Sequence, residues 1–286
     1  PENHLRGIGG PQHGRRHRFA LTGIKAPQHV AHQAAVGLAA GSAQPWRVLP
    51  LGAVYLDDYL IEHRIRSVLG YHGNEPHSYD ELLGGKGRWQ HLGNPRAWNL
   101  LAVRYLITDR PVESAGLVPI ASGVKTWLGD SAWVWRVPDP APWAVVVPLA
   151  LKVGDEQEAR RIAISHPAFD PKRIVLVPRD APFGTEAPAA MLPEALTPSP
   201  VIRVTERQPG VYVLAIEGLA NDGVLVVSEN WMPSWTARVD GRAAAVARAN
   251  GTFIAVPLRA RSREVVLAVE ARGDRRGLQA SLAGFL

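Results

Sequence analysis

Between Val224 and Val269 the chain is a succession of short β-branched runs, each stopped by turn residues, and this spacing restricts the region to antiparallel β structure. The strongest punctuation is Asp240-Gly241. That dipeptide supplies the positive φ of a tight hairpin turn, so Ala237 to Asp240 and Ala243 to Val246 read as its two strands. Val211 to Ile216, Val224 to Val227, Phe253 to Pro257 and Val265 to Val269 supply the rest of a β-sandwich spanning residues 201–272. With 24 Pro and 27 Gly, short strands and loops outweigh long helices. The expected fold class is α+β: a mixed α/β N-terminal layer followed by a C-terminal antiparallel β-sandwich.

Ahead of that sandwich, strands and helices alternate loosely. Arg47 to Leu51, Val103 to Thr108, Leu117 to Ala121, Ala132 to Val137, Ala144 to Leu149 and Arg173 to Val177 read as strands. Tyr55 to Ile65 reads as a short amphipathic helix, with Asp57-Asp58 placed well for the dipole of its first turn. Asp80 to Leu83 reads as a helical turn. Asn94-Pro95 caps and opens a helix over Pro95 to Leu101, and Gly154-Asp155 introduces another to Ile164. The expected organisation is an extended basic arm over 1–44, a mixed α/β domain over 45–178, a proline-rich linker over 179–200, the sandwich over 201–272, and the start of an apolar membrane-proximal segment over 273–286.

Four ordered blocks resemble the C-terminal soluble region of the YfhO-like bacterial membrane proteins, which are of the GT-C glycosyltransferase type. They are Pro45 to Pro50, Ser67 to Gly73, Asn99 to Thr108, and Ser228-Glu229-Asn230-Trp231 through Asp240-Gly241 to Val256. Ser234 and the turn Ala260 to Arg263 depart from the family's pattern. The resemblance implies an extracytoplasmic, periplasmic domain beside a bacterial membrane, and a family whose catalytic acid lies in a loop among transmembrane helices. It also implies a polyprenyl-linked sugar donor, with the soluble domain presenting the acceptor. Residues 278–286 read as the opening turns of an apolar helix where the family's last membrane helix begins, so the chain is expected to be a fragment cut, processed or naturally truncated at a membrane boundary.

The residues themselves carry no catalytic signature. No Gly-rich phosphate loop, Gly-x-Ser-x-Gly elbow or His-Glu-x-x-His occurs, and Gly7-Ile8-Gly9-Gly10 precedes any expected strand. With 0 Cys there is no thiolate nucleophile or ligand. His13 with His17 and His29 with His32 lack acidic companions, so neither catalytic nor metal residues, nor any cofactor, are assigned. Asp109, Glu113, Asp130 and Asp139 are scattered through loops.

Charge is uneven. Residues 1–47 carry six basic residues against one acidic and residues 236–286 nine against four, each net +5; subtracting both ends from the whole chain's +6 leaves the middle at −4. Basic ends suit an anionic membrane surface or an acidic region of an integral membrane protein. No nucleic-acid motif accompanies the charge, so nucleic acid is excluded as a partner.

Two groups of candidate binding residues stand out. Asn250-Gly251 reads as a second turn, and Trp231, Trp235, Arg238 and Arg248 lie within two strands of it and of Asp240-Gly241, so that with Asp240 and Asn250 they are expected to form one patch; its tryptophans either cap the sandwich core or stack on a glycan or partner. Tyr71, His72, Asn74 and Tyr79 belong to a polar aromatic loop suited to sugar hydrogen bonding. Two functions compete: a non-catalytic domain presenting a glycan, a polyprenyl-linked sugar acceptor or a partner at the membrane surface, and a membrane-extrinsic subunit clamping an integral complex, respiratory or photosynthetic for example.

Overall fold

The computed structural model describes residues 44–52, 54, 60, 65–69, 76–113, 116–125, 131–186, 199–208 and 210–270. The basic arm, most of the helix expected over Tyr55 to Ile65, the loop residues Tyr71, His72 and Asn74, most of the proline-rich stretch and the apolar segment 273–286 lie outside them.

The fold is α+β and mostly β. In chain order its strands are β1 (Arg47–Leu51), β2 (Val103–Thr108), β3 (Val118–Lys125), β4 (Ser131–Arg136), β5 (Ala144–Val147), β6 (Leu149–Val153), β7 (Ile174–Pro178), β8 (Val201–Gln208), β9 (Val211–Glu217), β10 (Gly223–Val227), β11 (Trp235–Val239), β12 (Arg242–Ala244), β13 (Ala247–Ala249), β14 (Phe253–Leu258) and β15 (Glu264–Val269). The helices are α1 (His77–Leu82), α2 (Pro95–Leu100) and α3 (Glu156–Ser165). A mixed sheet runs β1-β2-β4-β3, with β1 parallel to β2. Two antiparallel sheets follow, β13-β14-β10-β5 and β12-β11-β15-β9-β8, and the pair β6-β7 is parallel.

The burial patterns explain the layering. In β9, VYVLAIE, alternate residues are buried, and β11 and β15 also bury one face, as strands covered on one side require. By contrast β10, GVLVV, and β14, FIAVPL, are buried almost continuously. Their sheet is the middle layer. One face meets the β9-containing sheet through Leu225, Val227, Ile254 and Val256 against Leu214 and Leu267. The other face, through Val224, Val226, Phe253 and Ala255, meets the helices and β6-β7.

This middle layer revises the expected extent of the sandwich. Its edge strand β5 pairs Ala144 to Val147 against Val227 to Val224, so the layer draws on residues far ahead of 201. The run expected over Ala144 to Leu149 breaks at Pro148: β5 enters the sandwich, while β6 leads through α3 into its parallel partner β7. Both helix starts follow their caps, with Asn94 Oδ1 accepting from the Arg96 N–H at 3.0 Å and Asp155 Oδ1 from the Glu158 N–H at 2.7 Å. The expected hairpin forms, but its return strand is only Arg242–Ala244; Ala247–Ala249 then moves across to the middle sheet beside β14.

Candidate functional site

The polar interior collects where three distant segments meet. Arg47, on β1, is 8% exposed. Its Nη1 donates to the Leu101 carbonyl and to Ser228 Oγ, each at 2.9 Å, and its Nη2 donates to the Ser228 carbonyl and reaches Glu229 Oε1 at 3.4 Å. Ser228 and Glu229 follow β10, and Ser228 Oγ donates onward to the Leu100 carbonyl at the end of α2. Arg66 pairs with the same Glu229 oxygen and donates from Nη2 to the Tyr212 hydroxyl at 2.9 Å. The Trp143 indole N–H adds a third donor to Glu229 Oε1 at 2.9 Å. Two guanidiniums thus share one carboxylate, an arrangement that removal of the carboxylate would leave uncompensated in a low-dielectric interior.

Aromatic rings enclose this cluster. The Arg66 guanidinium lies 5.6 Å from the Trp143 ring centre and 5.7 Å from that of Tyr212. Tyr212 packs edge-on against Trp143 at 5.0 Å and stacks on Trp235 at 6.0 Å. Burial alone would lower the Arg66 pKa, but the adjacent Glu229 and Tyr212 outweigh it and hold the group above the ordinary arginine value.

On its other side the cluster opens into a cavity of about 260 Å³, lined by Arg66, Tyr79, Asp80, Trp89 and Glu229 among others. Tyr79 is buried on α1 and donates to the Val68 carbonyl at 3.0 Å. Burial pushes its hydroxyl up to about 12, against the pull of Arg47 and with the help of Glu229. All three contacts to Glu229 fall on Oε1, which leaves Oε2 as the carboxylate's remaining acceptor among the described residues. The wall therefore offers guanidinium donors, carboxylate acceptors, a phenol and an indole.

Of the candidate binding residues, Tyr79 alone among the described ones lines this cavity. The expected single patch is divided. Trp235 is core, 8% exposed, its indole N–H donating to the Asn230 carbonyl at 2.9 Å. Trp231 and Arg248 do meet, the guanidinium 4.3 Å from the ring centre, but Arg248 is also ion-paired to Glu156 of α3. Burial lowers the Arg248 pKa, and its Nε has no partner among the described residues. Asn250 is 2% exposed and clamps β7: its N–H donates to the Leu176 carbonyl at 2.7 Å, and its Oδ1 accepts from the Leu176 N–H at 3.0 Å.

Arg238 and Asp240 belong to the other end of β11. Arg238 donates to the Gly241 carbonyl at 3.0 Å, and Asp240 Oδ1 accepts from the Arg263 and Glu264 N–H groups, each at 3.0 Å. Both serve the turn. Arg47 is the member of the buried cluster that sequence could have flagged, because a cation inside the run WRVLPL demands a buried partner. Arg66 and Glu229 sit in polar contexts that give no such warning.

Among the described residues no group of three His, Asp or Glu side chains is placed to hold a metal ion, and no helix is long and apolar enough to cross a membrane. The architecture is thus a β-rich α+β unit with a charged aromatic cavity between its mixed sheet and its sandwich. No family model, curated protein or solved structure matches the chain.

Proposed function

We propose that the chain is a non-catalytic binding domain that takes a glycan or sugar-bearing acceptor in the cavity beside Arg66, Tyr79, Trp89 and Glu229, at the extracytoplasmic face of a bacterial membrane. The observation that carries this reading is the cavity wall itself. A sugar ring requires donors and acceptors at its rim and a flat apolar surface for its C–H face, and the guanidinium, carboxylates, phenol and indole supply that combination. The location and the glycosyltransferase ancestry rest on the resemblance to YfhO-like proteins.

Catalytic use of the cluster is disfavoured by its bonding. Three donors converge on one Glu229 oxygen, which suits holding geometry better than exchanging a proton during turnover. Titration calorimetry against a panel of neutral and acidic oligosaccharides tests the proposal. Binding is expected in the wild type and at least tenfold weaker in Trp89→Ala with its folding intact by circular dichroism. Absence of binding across the panel, or glycosyl transfer by this chain alone, would overturn it.

A further inference from the structure

A second, independent surface lies at the end of the sandwich remote from that cavity. There the turn joining β14 to β15 faces the segment after β9, and between them runs an open groove of about 640 Å³. One side is lined by Ala215, Ile216, Leu219 and Ala220 with Glu217, whose carboxylate is paired with Arg203 at 3.2 Å; the other carries Arg261 and Arg263, both exposed. Among the described residues no carboxylate oxygen lies within ion-pair distance of either guanidinium, although neighbouring Arg259 pairs with Asp222 at 2.7 Å.

The turn is held rigidly. The Arg261 N–H donates to the Leu219 carbonyl at 2.8 Å, the Ala260 N–H to Asp222 Oδ1 at 2.8 Å, and the Arg263 N–H to Asp240 Oδ1 at 3.0 Å. Arg261 has φ of +67°, the largest positive value among the described non-glycine residues. Glycine would adopt this conformation without strain, and asparagine or aspartate with less. An arginine there spends backbone stability to project its side chain, a pattern associated with sites of interaction.

We propose that this groove docks an extended acidic segment of a partner polypeptide, one that alternates apolar and acidic side chains. An extended strand sends successive side chains to opposite sides, so one set meets the apolar side of the groove while the other reaches the guanidiniums. Arg261 and Arg263 place two guanidiniums along one side of the groove, and guanidinium pairs with carboxylate in bidentate fashion. A flat anionic bilayer is the poorer fit because it leaves the apolar side uncovered. Among the described residues the large apolar side chains that are exposed, Ile120, Val201 and Met232, do not line this groove and give it no membrane-inserting residue.

The test uses a fluorescein-labelled peptide alternating Asp and Leu, its Lys and Leu counterpart, and vesicles containing anionic phosphatidylserine, each with the wild-type chain, Arg261→Gly, Arg263→Gln and the remote control Lys172→Gln. The acidic peptide alone is expected to bind. Its affinity should fall with added salt, by about fivefold or more in each groove variant, and not at all in the control. Arg261→Gly should simultaneously melt at the same or a higher temperature, since it relieves the left-handed strain; this separates lost binding from lost folding. Equal binding of both peptides, indifference to Arg261→Gly and Arg263→Gln, or vesicle binding that these variants abolish in place of peptide binding would each overturn the proposal.

Discussion

Two turns of nearly identical sequence and backbone have opposite places in this molecule. Asp240-Gly241 has φ values of 48° and 76°, and Asn250-Gly251 has 50° and 72°. The first is exposed at a hairpin tip, where a Cβ on Gly241 would meet nothing within 4 Å. The second is buried beneath α3, where a Cβ on Gly251 would come 2.3 Å from the Glu156 carbonyl oxygen and 2.7 Å from Arg160 Cγ. Local sequence sets the shape of a turn. What the turn is worth depends on the long-range partners that close over it: the Arg160 guanidinium donates to the Gly251 carbonyl at 2.6 Å, and Leu176 exchanges two hydrogen bonds with Asn250.

The largest expected contrast is therefore between the two glycines. Gly251→Ala adds a collision with backbone to the left-handed strain and should cost on the order of 4 kcal/mol in denaturant unfolding, whereas Gly241→Ala should cost about 1 kcal/mol from strain alone. Equal losses would mean that the packing of α3 over Gly251 contributes little. Next in size is the pair Asn250→Ala and Asp240→Ala. The first strands the buried Leu176 N–H and should cost about 2–3 kcal/mol; the second frees N–H groups that water can reach and should cost about 1 kcal/mol or less. Amide exchange at Leu176 is the specific readout, accelerated in Asn250→Ala and unchanged in Asp240→Ala.

Much of the fold was legible because it depends on short-range pattern. The period-two alternation of β9, the caps at Asn94 and Asp155, and the Asp240-Gly241 turn all reside within a few residues of the elements they define. The continuous apolar runs of β5, β10 and β14 were legible as strands, yet their common role as a doubly covered middle sheet was not. That role follows from β5 pairing with β10 across some eighty positions, as in Val147↔Val224. The candidate site was less legible still. Arg47, Arg66 and Glu229 come from separate regions, and their meeting is a property of the packing of β1 against the segment after β10. The tryptophans near the hairpin attracted attention through residue type, but Trp235 is covered by Tyr212 in the interior.

A smaller effect tests the electrostatics of α1. The Tyr79 hydroxyl is raised to about 12 in the folded state from an ordinary value near 10, so the folded chain retains a proton that the unfolded chain releases between those pH values. Its contribution is fully present below pH 10 and lost as pH rises toward 12, by an amount on the order of 2 kcal/mol. Tyr79→Phe should flatten the decline in melting temperature over that window; an unchanged decline would show that other groups govern alkaline unfolding.

If the cavity beside Arg66 and Glu229 takes the ligand as proposed, binding is felt there and not at the tryptophans of the hairpin. The chain's 9 tryptophans make indole N–H resonances a direct reporter. In a proton–nitrogen correlation spectrum titrated with a binding oligosaccharide, Trp89, which lines the cavity, and Trp143, whose N–H donates to Glu229, are expected to shift with saturation while Trp231 and Trp235 hold still. Saturable shifts at Trp231 with Trp89 and Trp143 unmoved would contradict it.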